Sequence, residues 1–243
     1  YLMLTYNWQA IFNVQLGLGI LVLFWFWKRQ PETLAVSKRI PFRTATLSSG
    51  FIEFFKHKQA VAFTLISGFI TGSFMVYLST TQHIFEIQYD LGEDFPLIFA
   101  SLAIGVGFAT YLNGVYVVRI GMKRIALVSL AAYCLSSLLY VVLFFNTSNP
   151  ALWVLLTFFA IQFIAVGFLF GNLRALAMQP IGHIAGVGAA INGFISTVMG
   201  VLIASGIGAY VTTTAWPLFL GFTVCGLASM VVFVLNKPLE RTI

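Results

Sequence analysis

Apolar positions in this chain come in long runs, separated by short polar breaks. The runs cover residues 8–27, 59–80, 95–118, 125–145, 151–172, 185–210 and 215–236. Each matches the length of about 20 residues that an α-helix needs to cross a hydrocarbon core. None alternates with period two, as a barrel strand must, and all are too long for one. The pattern therefore predicts an all-α membrane protein. Its parts are a first helix within residues 1–27, a polar connection at 28–58, a six-helix bundle at 59–236 and a tail at 237–243. The opening YLMLTYNWQA lacks the positive region and cleavage site of a signal peptide, begins without Met and enters an apolar run almost at once. We therefore expect an upstream part.

Composition agrees with lipid as the solvent. Of 243 residues 60% are apolar and 8% charged, with a mean hydropathy of +0.96. A soluble domain carries roughly a quarter charged residues, so this chain could not coat itself for water. A soluble enzyme, a disordered chain and a disulfide-framed secreted domain are excluded. Cys134 and Cys225 both lie inside apolar runs and read as small buried hydrophobes. No Cys-x-x-Cys or His/Cys cluster is present, so no metal or cofactor is expected.

Charge then gives direction. Net charge is +6. The basic residues are Lys28, Arg29, Lys38, Arg39, Arg43, Lys56 and Lys58 in the long connection; Arg119, Lys123 and Arg124 after the third run; Arg174 after the fifth; and Lys237 and Arg241 after the seventh. All fall on one side of the predicted membrane. The loop between the second and third runs holds Glu86, Asp90, Glu93 and Asp94 and no basic residue. The positive-inside rule predicts a cytoplasmic basic side and a cytoplasmic C-terminus. The clusters read as topology rather than as a nucleic-acid surface. The end of the long connection, FIEFFKHKQ, admits two readings: an interfacial helix with its aromatic face in lipid, or the start of the second span.

The connection after the third run reads NGVYVVRIGMKRI. Gly121 suits a tight turn needing positive φ, Gly114 suits a close helix approach, and Arg119, Lys123 and Arg124 anchor the turn. This pattern resembles the cytoplasmic loop signature of the major facilitator superfamily, in the copy joining helices eight and nine. It departs at Val118, where an Asp often sits, and at Met122. Residues 171–195, GNLRALAMQPIGHIAGVGAAINGFI, are similar to the helix ten to eleven region of Bcr/CflA-type drug-efflux transporters. The matching residues are Asn172, Ala175, Leu176, Ala177, Pro180, Gly182, His183, Ala185 and Gly186. Gln179 replaces a common Glu, and Arg174 is unusual. RQPETL, with Pro31, Glu32, Thr33 and Leu34, resembles the end of helix six.

The resemblance implies the major facilitator fold: one six-helix half, built as a 3+3 inverted repeat, plus the preceding helix, with helices one to five absent. It further implies alternating access, a substrate site between halves near midplane, and proton-driven export of small amphipathic drugs across a bacterial inner membrane. The partners implied are the bilayer, substrate, protons and the missing N-terminal helices. By the same resemblance helices seven, eight, ten and eleven line the cavity, which makes Phe74, Tyr77, Gln162, Asn192 and Ser196 the lining candidates. From the residues themselves, the competing role for these polar side chains is helix-to-helix bonding.

No Asp, Glu, Lys or Arg lies deep in any run. A proton antiporter built on this chain would keep its titrating acid elsewhere, and the chain alone is not expected to transport. His183 is expected to bond the loop backbone. A sugar or metabolite facilitator of the same fold is the alternative within transport. A seven-helix receptor or light-driven pump fits the helix count, but the last run has no Lys for a retinal Schiff base. Membrane-embedded enzyme chemistry lacks convergent nucleophiles or acids.

Overall fold

The computed structural model describes residues 9–31 and 44–236, apart from the side chains of residues 44–46 and 93. Lys38, Arg39, Arg43, Lys237 and Arg241, the Glu32–Leu34 part of RQPETL and the tail therefore lie outside the described residues. The chain divides into two units, Tyr1–Arg43 and Thr44–Ile243.

The first unit contains helix α1, Gln9–Arg29, of 21 residues. It is apolar all round, without the polar stripe of a surface helix, so lipid suits its whole circumference. At about 1.5 Å per residue its length matches the hydrocarbon thickness. Lys28 and Arg29 close it, with the Lys28 ammonium 5.2 Å from the Phe24 ring centroid.

The second unit begins with the short helix α2, Thr44–Lys56. His57 breaks the helical path with extended backbone (φ −90°, ψ 94°), and α3, Lys58–Gln82, follows at once. The connection at 28–58 is thus partly helical, and of the two readings of its end a separate helix is what forms. Phe54 is buried against Ala60, Ile181 and Ile191, whereas Phe51, Ile52 and Phe55 are exposed. A π-helical turn, His83–Gln88, prolongs α3 beyond the predicted end. Then come α4, Phe95–Ile120; α5, Met122–Leu143; α6, Leu152–Met178; a tight turn, Gln179–Ile184; α7, Ala185–Gly208; and α8, Trp216–Leu235. No strand occurs among the described residues.

Among the described residues, six helical stretches are long and apolar enough to span a membrane. One of them, Leu152–Gly208, is α6 and α7 joined through the turn, which bends at Ile181 (φ −125°, ψ 29°). Counting α6 and α7 separately recovers the predicted seven. Pro96, Pro180 and Pro217 stand in first turns, where a missing N–H leaves no bond unmade. Gly121, at φ 88°, turns α4 into α5 in a single residue.

The packing repeats itself. The main interfaces are α3 on α7, α5 on α6, α4 on α6, α5 on α8, α3 on α8 and α3 on α6. Exchanging α3 with α6, α4 with α7 and α5 with α8 maps this set onto itself. Three helices followed by an inverted copy of three require this relation. Two of the exchanged interfaces share a device. An added Cβ on Gly72 of α3 would meet Ile203 Cδ1 of α7 at 2.6 Å, and one on Gly167 of α6 would meet Ala109 Cβ of α4 at 2.7 Å. Glycine lets these backbones close in. Gly200, in the α3–α7 seam, packs against Met75 inside an unbroken helix.

Gly114 corrects the sequence expectation. A Cβ there would meet nothing within 4 Å, so among the described residues of this unit no helix closes on Gly114.

Candidate functional site

The five lining candidates do not share one surface. Gln162 is fully buried between α6 and α5, where its Nε2 donates to the Tyr133 carbonyl (3.1 Å) and to Ser136 Oγ (3.1 Å). Asn192 is buried between α7 and α3, its Nδ2 donating to Thr64 Oγ1 at 2.8 Å. Both amides make the helix-to-helix bonds that were the competing role. A primary amide in lipid must find a partner, and the nearest helix supplies it. Ser196 is buried with its hydroxyl unpaired among the described residues.

Phe74 and Tyr77 do come together. They lie one turn apart on α3, with ring centroids 6.2 Å apart, facing α6 and α4. Phe74 packs edge-on against Phe163 (5.7 Å) and Phe170 (5.6 Å). Tyr77 meets Phe163 at 4.6 Å, Phe159 at 5.2 Å and Phe99 of α4 at 6.2 Å. Tyr77, Phe159 and Phe163 are buried, while Phe74, Phe99 and Phe170 are half-buried and form the rim. The Tyr77 and Thr81 hydroxyls are buried beside each other, and among the described residues neither bonds to a third group. The surface offers aromatic walls, two hydroxyls and no charge. Such a surface suits an apolar or weakly polar organic molecule and performs no acid–base chemistry.

Residues 171–195 depart from the expected loop. Asn172 lies inside α6, which runs six residues beyond the predicted end. Its buried Nδ2 donates to Asn113 Oδ1 on α4 at 2.6 Å and to the Phe168 carbonyl at 2.8 Å. Sequence reading missed Asn113 as its partner; two asparagines on different apolar runs were the available signal. Pro180, Gly182 and His183 form the turn itself. His183 Nε2 faces Glu53 Oε1 of α2 at 2.6 Å, an exposed side-chain pair rather than the expected backbone bond.

The two ends of the bundle differ. At the acidic-loop end the connections are laced together. Asn149 Nδ2 donates to Gln88 Oε1 (2.9 Å), the Ala215 amide donates to Asn149 Oδ1 (2.9 Å), and the Tyr89 hydroxyl donates to the Pro150 carbonyl (2.8 Å). Burial pushes the Tyr89 phenol up to about 12, so it remains a donor throughout the physiological range. At the basic end Gln59 Nε2 reaches the Leu176 carbonyl (3.1 Å) and Gln179 Oε1 (3.3 Å) beside an open cavity that Arg119's neighbours Lys123 and Arg124 help to line. Cys134 and Cys225 are buried and free. No group of His, Cys, Asp and Glu among the described residues could hold a metal.

Comparison with known proteins is consistent with this architecture. The family model for the Major Facilitator Superfamily matches residues 1–204. An uncharacterized MFS-type transporter, YdgK, of Bacillus subtilis is 25% identical over 95% of this chain and 57% of its own length. A bicyclomycin resistance protein homolog of Haemophilus influenzae is 22% identical over 96% of this chain and 58% of its own length. The chain thus spans somewhat over half the length of these relatives. No solved structure matches it. All-helical among the described residues, with helices long and apolar enough to span a membrane and packed as two exchanged triplets, the chain belongs to the Major Facilitator Superfamily.

Proposed function

We propose that this chain is the C-terminal half of a Bcr/CflA-type exporter of small amphipathic drugs, driven by the proton gradient across a bacterial inner membrane. In this reading the basic ends of the helices face the cytoplasm. The observation that carries it is the similarity to the bicyclomycin resistance protein homolog, which extends over 96% of the chain. The uncharged aromatic surface around Phe74 and Tyr77 supports it, since a polyspecific pump needs apolar walls more than fixed charges. No carboxylate stands deep in the spans, so the titrating acid is to be sought outside them.

The test is drug susceptibility in an efflux-deficient bacterium expressing this chain together with the N-terminal helices that the reading requires. The expected result is raised resistance that a protonophore abolishes, and that Phe74→Ala reshapes from drug to drug. Sugar accumulation indifferent to the proton gradient would refute export and favour a facilitator.

A further inference from the structure

We propose that the cleft between α4 and α5 is a binding site for an anionic phospholipid, independent of whatever the transporter carries. The reasoning starts with how the two helices part. Gly121 turns the chain in one residue, but α4 and α5 then make little contact with each other, each packing on α6 instead. A V-shaped gap opens between them. It forms a groove of about 510 Å³ walled by Tyr116 and Ile120 of α4 and by Ile125, Val128 and Ser129 of α5, with Phe168 of α6 also lining it. These walls are almost wholly apolar.

At the turn the groove meets a second, larger cavity of about 700 Å³, with Ile120 and Arg124 lining both. Its polar lining is Gln59, Lys123, Arg124, Gln179 and Asn236. Among the described residues no acid lines either cavity. Arg119, Lys123 and Arg124 are exposed and make no salt bridge among the described residues. Glu53, the one described acid at this end, is held by His183. A cationic, amide-lined recess continuous with an apolar groove complements an amphiphile with an anionic head and an acyl tail. A free phosphate would leave the groove unused, and a zwitterionic lipid would leave the cations uncompensated. The site lies at a helix end, the level where headgroups meet a transmembrane bundle, and basic pockets between helices there suit anionic headgroups.

The test is native mass spectrometry of the full chain in detergent, titrated with phosphatidylglycerol or phosphatidylcholine. Phosphatidylglycerol should bind roughly thirtyfold more tightly, the scale expected for two cations. Lys123→Gln with Arg124→Gln should remove that preference, Arg124→Lys should keep it, and Val128→Trp, which fills the groove, should weaken both lipids. Arg174→Gln, a cation at the same end that lines neither cavity, should change nothing. A photoactivatable phosphatidylglycerol on the unmodified chain should label residues 116–129. Absence of headgroup preference, equal loss in Arg174→Gln, displacement of lipid by inorganic phosphate, or labelling spread over all helices would each overturn the proposal.

Discussion

Gln162 separates structural from transport roles most cleanly, because its bonds can be weighed against its burial. Its Nε2 donates twice across the α5–α6 interface, but neither acceptor depends on it. The Tyr133 carbonyl also accepts from Ser137 Oγ at 2.9 Å, and Ser136 Oγ donates to the Ala132 carbonyl at 2.8 Å. Its own Oε1 is buried with no partner among the described residues. Interhelical side-chain bonds in membranes average about 0.6 kcal/mol, so the two together contribute about 1 kcal/mol. A buried carbonyl left unpaired costs about 1–3 kcal/mol. Gln162→Leu removes both and keeps most of the volume, so its stability should lie between unchanged and about 2 kcal/mol higher. Gln162→Ala also opens a cavity and should lose about 2–4 kcal/mol. Reversible unfolding in mixed micelles, followed by tryptophan fluorescence, measures both. A Leu variant destabilised as much as the Ala variant would refute the balance of terms. A Leu variant of native stability that no longer supports drug resistance would move Gln162 from the bundle interior into the substrate path.

Two further predictions rest on single contacts. A double-mutant cycle of Asn192→Ala and Thr64→Ala should give a coupling of about 0.6–1.7 kcal/mol by the same unfolding assay, and additivity would mean the 2.8 Å bond contributes nothing. Gly167→Ala should cost about 1–3 kcal/mol, since its Cβ would stand 2.7 Å from both Ala109 Cβ and the Val106 carbonyl oxygen, whereas Gly206→Ala, with nothing within 4 Å, should be neutral or gain up to about 1 kcal/mol.

The helices were legible because a bilayer imposes one period and one length. The apolar runs and the helices agree to within a few residues, except where polar residues continued a helix. The apolar run ends at Asn172, but the bond of Asn172 to Asn113 removes the cost of an amide in lipid and α6 runs on to Met178. The site was less legible for the same reason. Polarity inside an apolar run marks a residue that needs a protein partner, and it does not say whether that partner is a helix or a ligand. Gln162 and Asn192 found helices. Phe74 is no more polar than the other phenylalanines, yet it sits at the rim of the aromatic surface, because α3, α6 and α4 converge there. Nothing in a run of apolar letters encodes which of its faces a second helix will leave open.

The exchanged triplets also constrain how such a bundle can move. Glycine contacts bring α3 onto α7 and α4 onto α6 at backbone range, and Val106 offers its carbonyl oxygen, not a flexible side chain, to Gly167. Sliding along either seam would drive Ile203 or Ala109 into backbone, so these seams resist shear. The connections at the acidic-loop end are tied across three segments by Asn149, Gln88 and Tyr89. At the basic end, by contrast, α4 and α5 diverge around an open cavity. On the transport reading proposed above, the helices joined by these seams therefore move together, and the sparsely packed α4–α5 turn is a place where the bundle has room to adjust. That is the same cleft whose cations we assign to a lipid headgroup. Its occupancy would then bear on a part of the bundle that the glycine seams leave free.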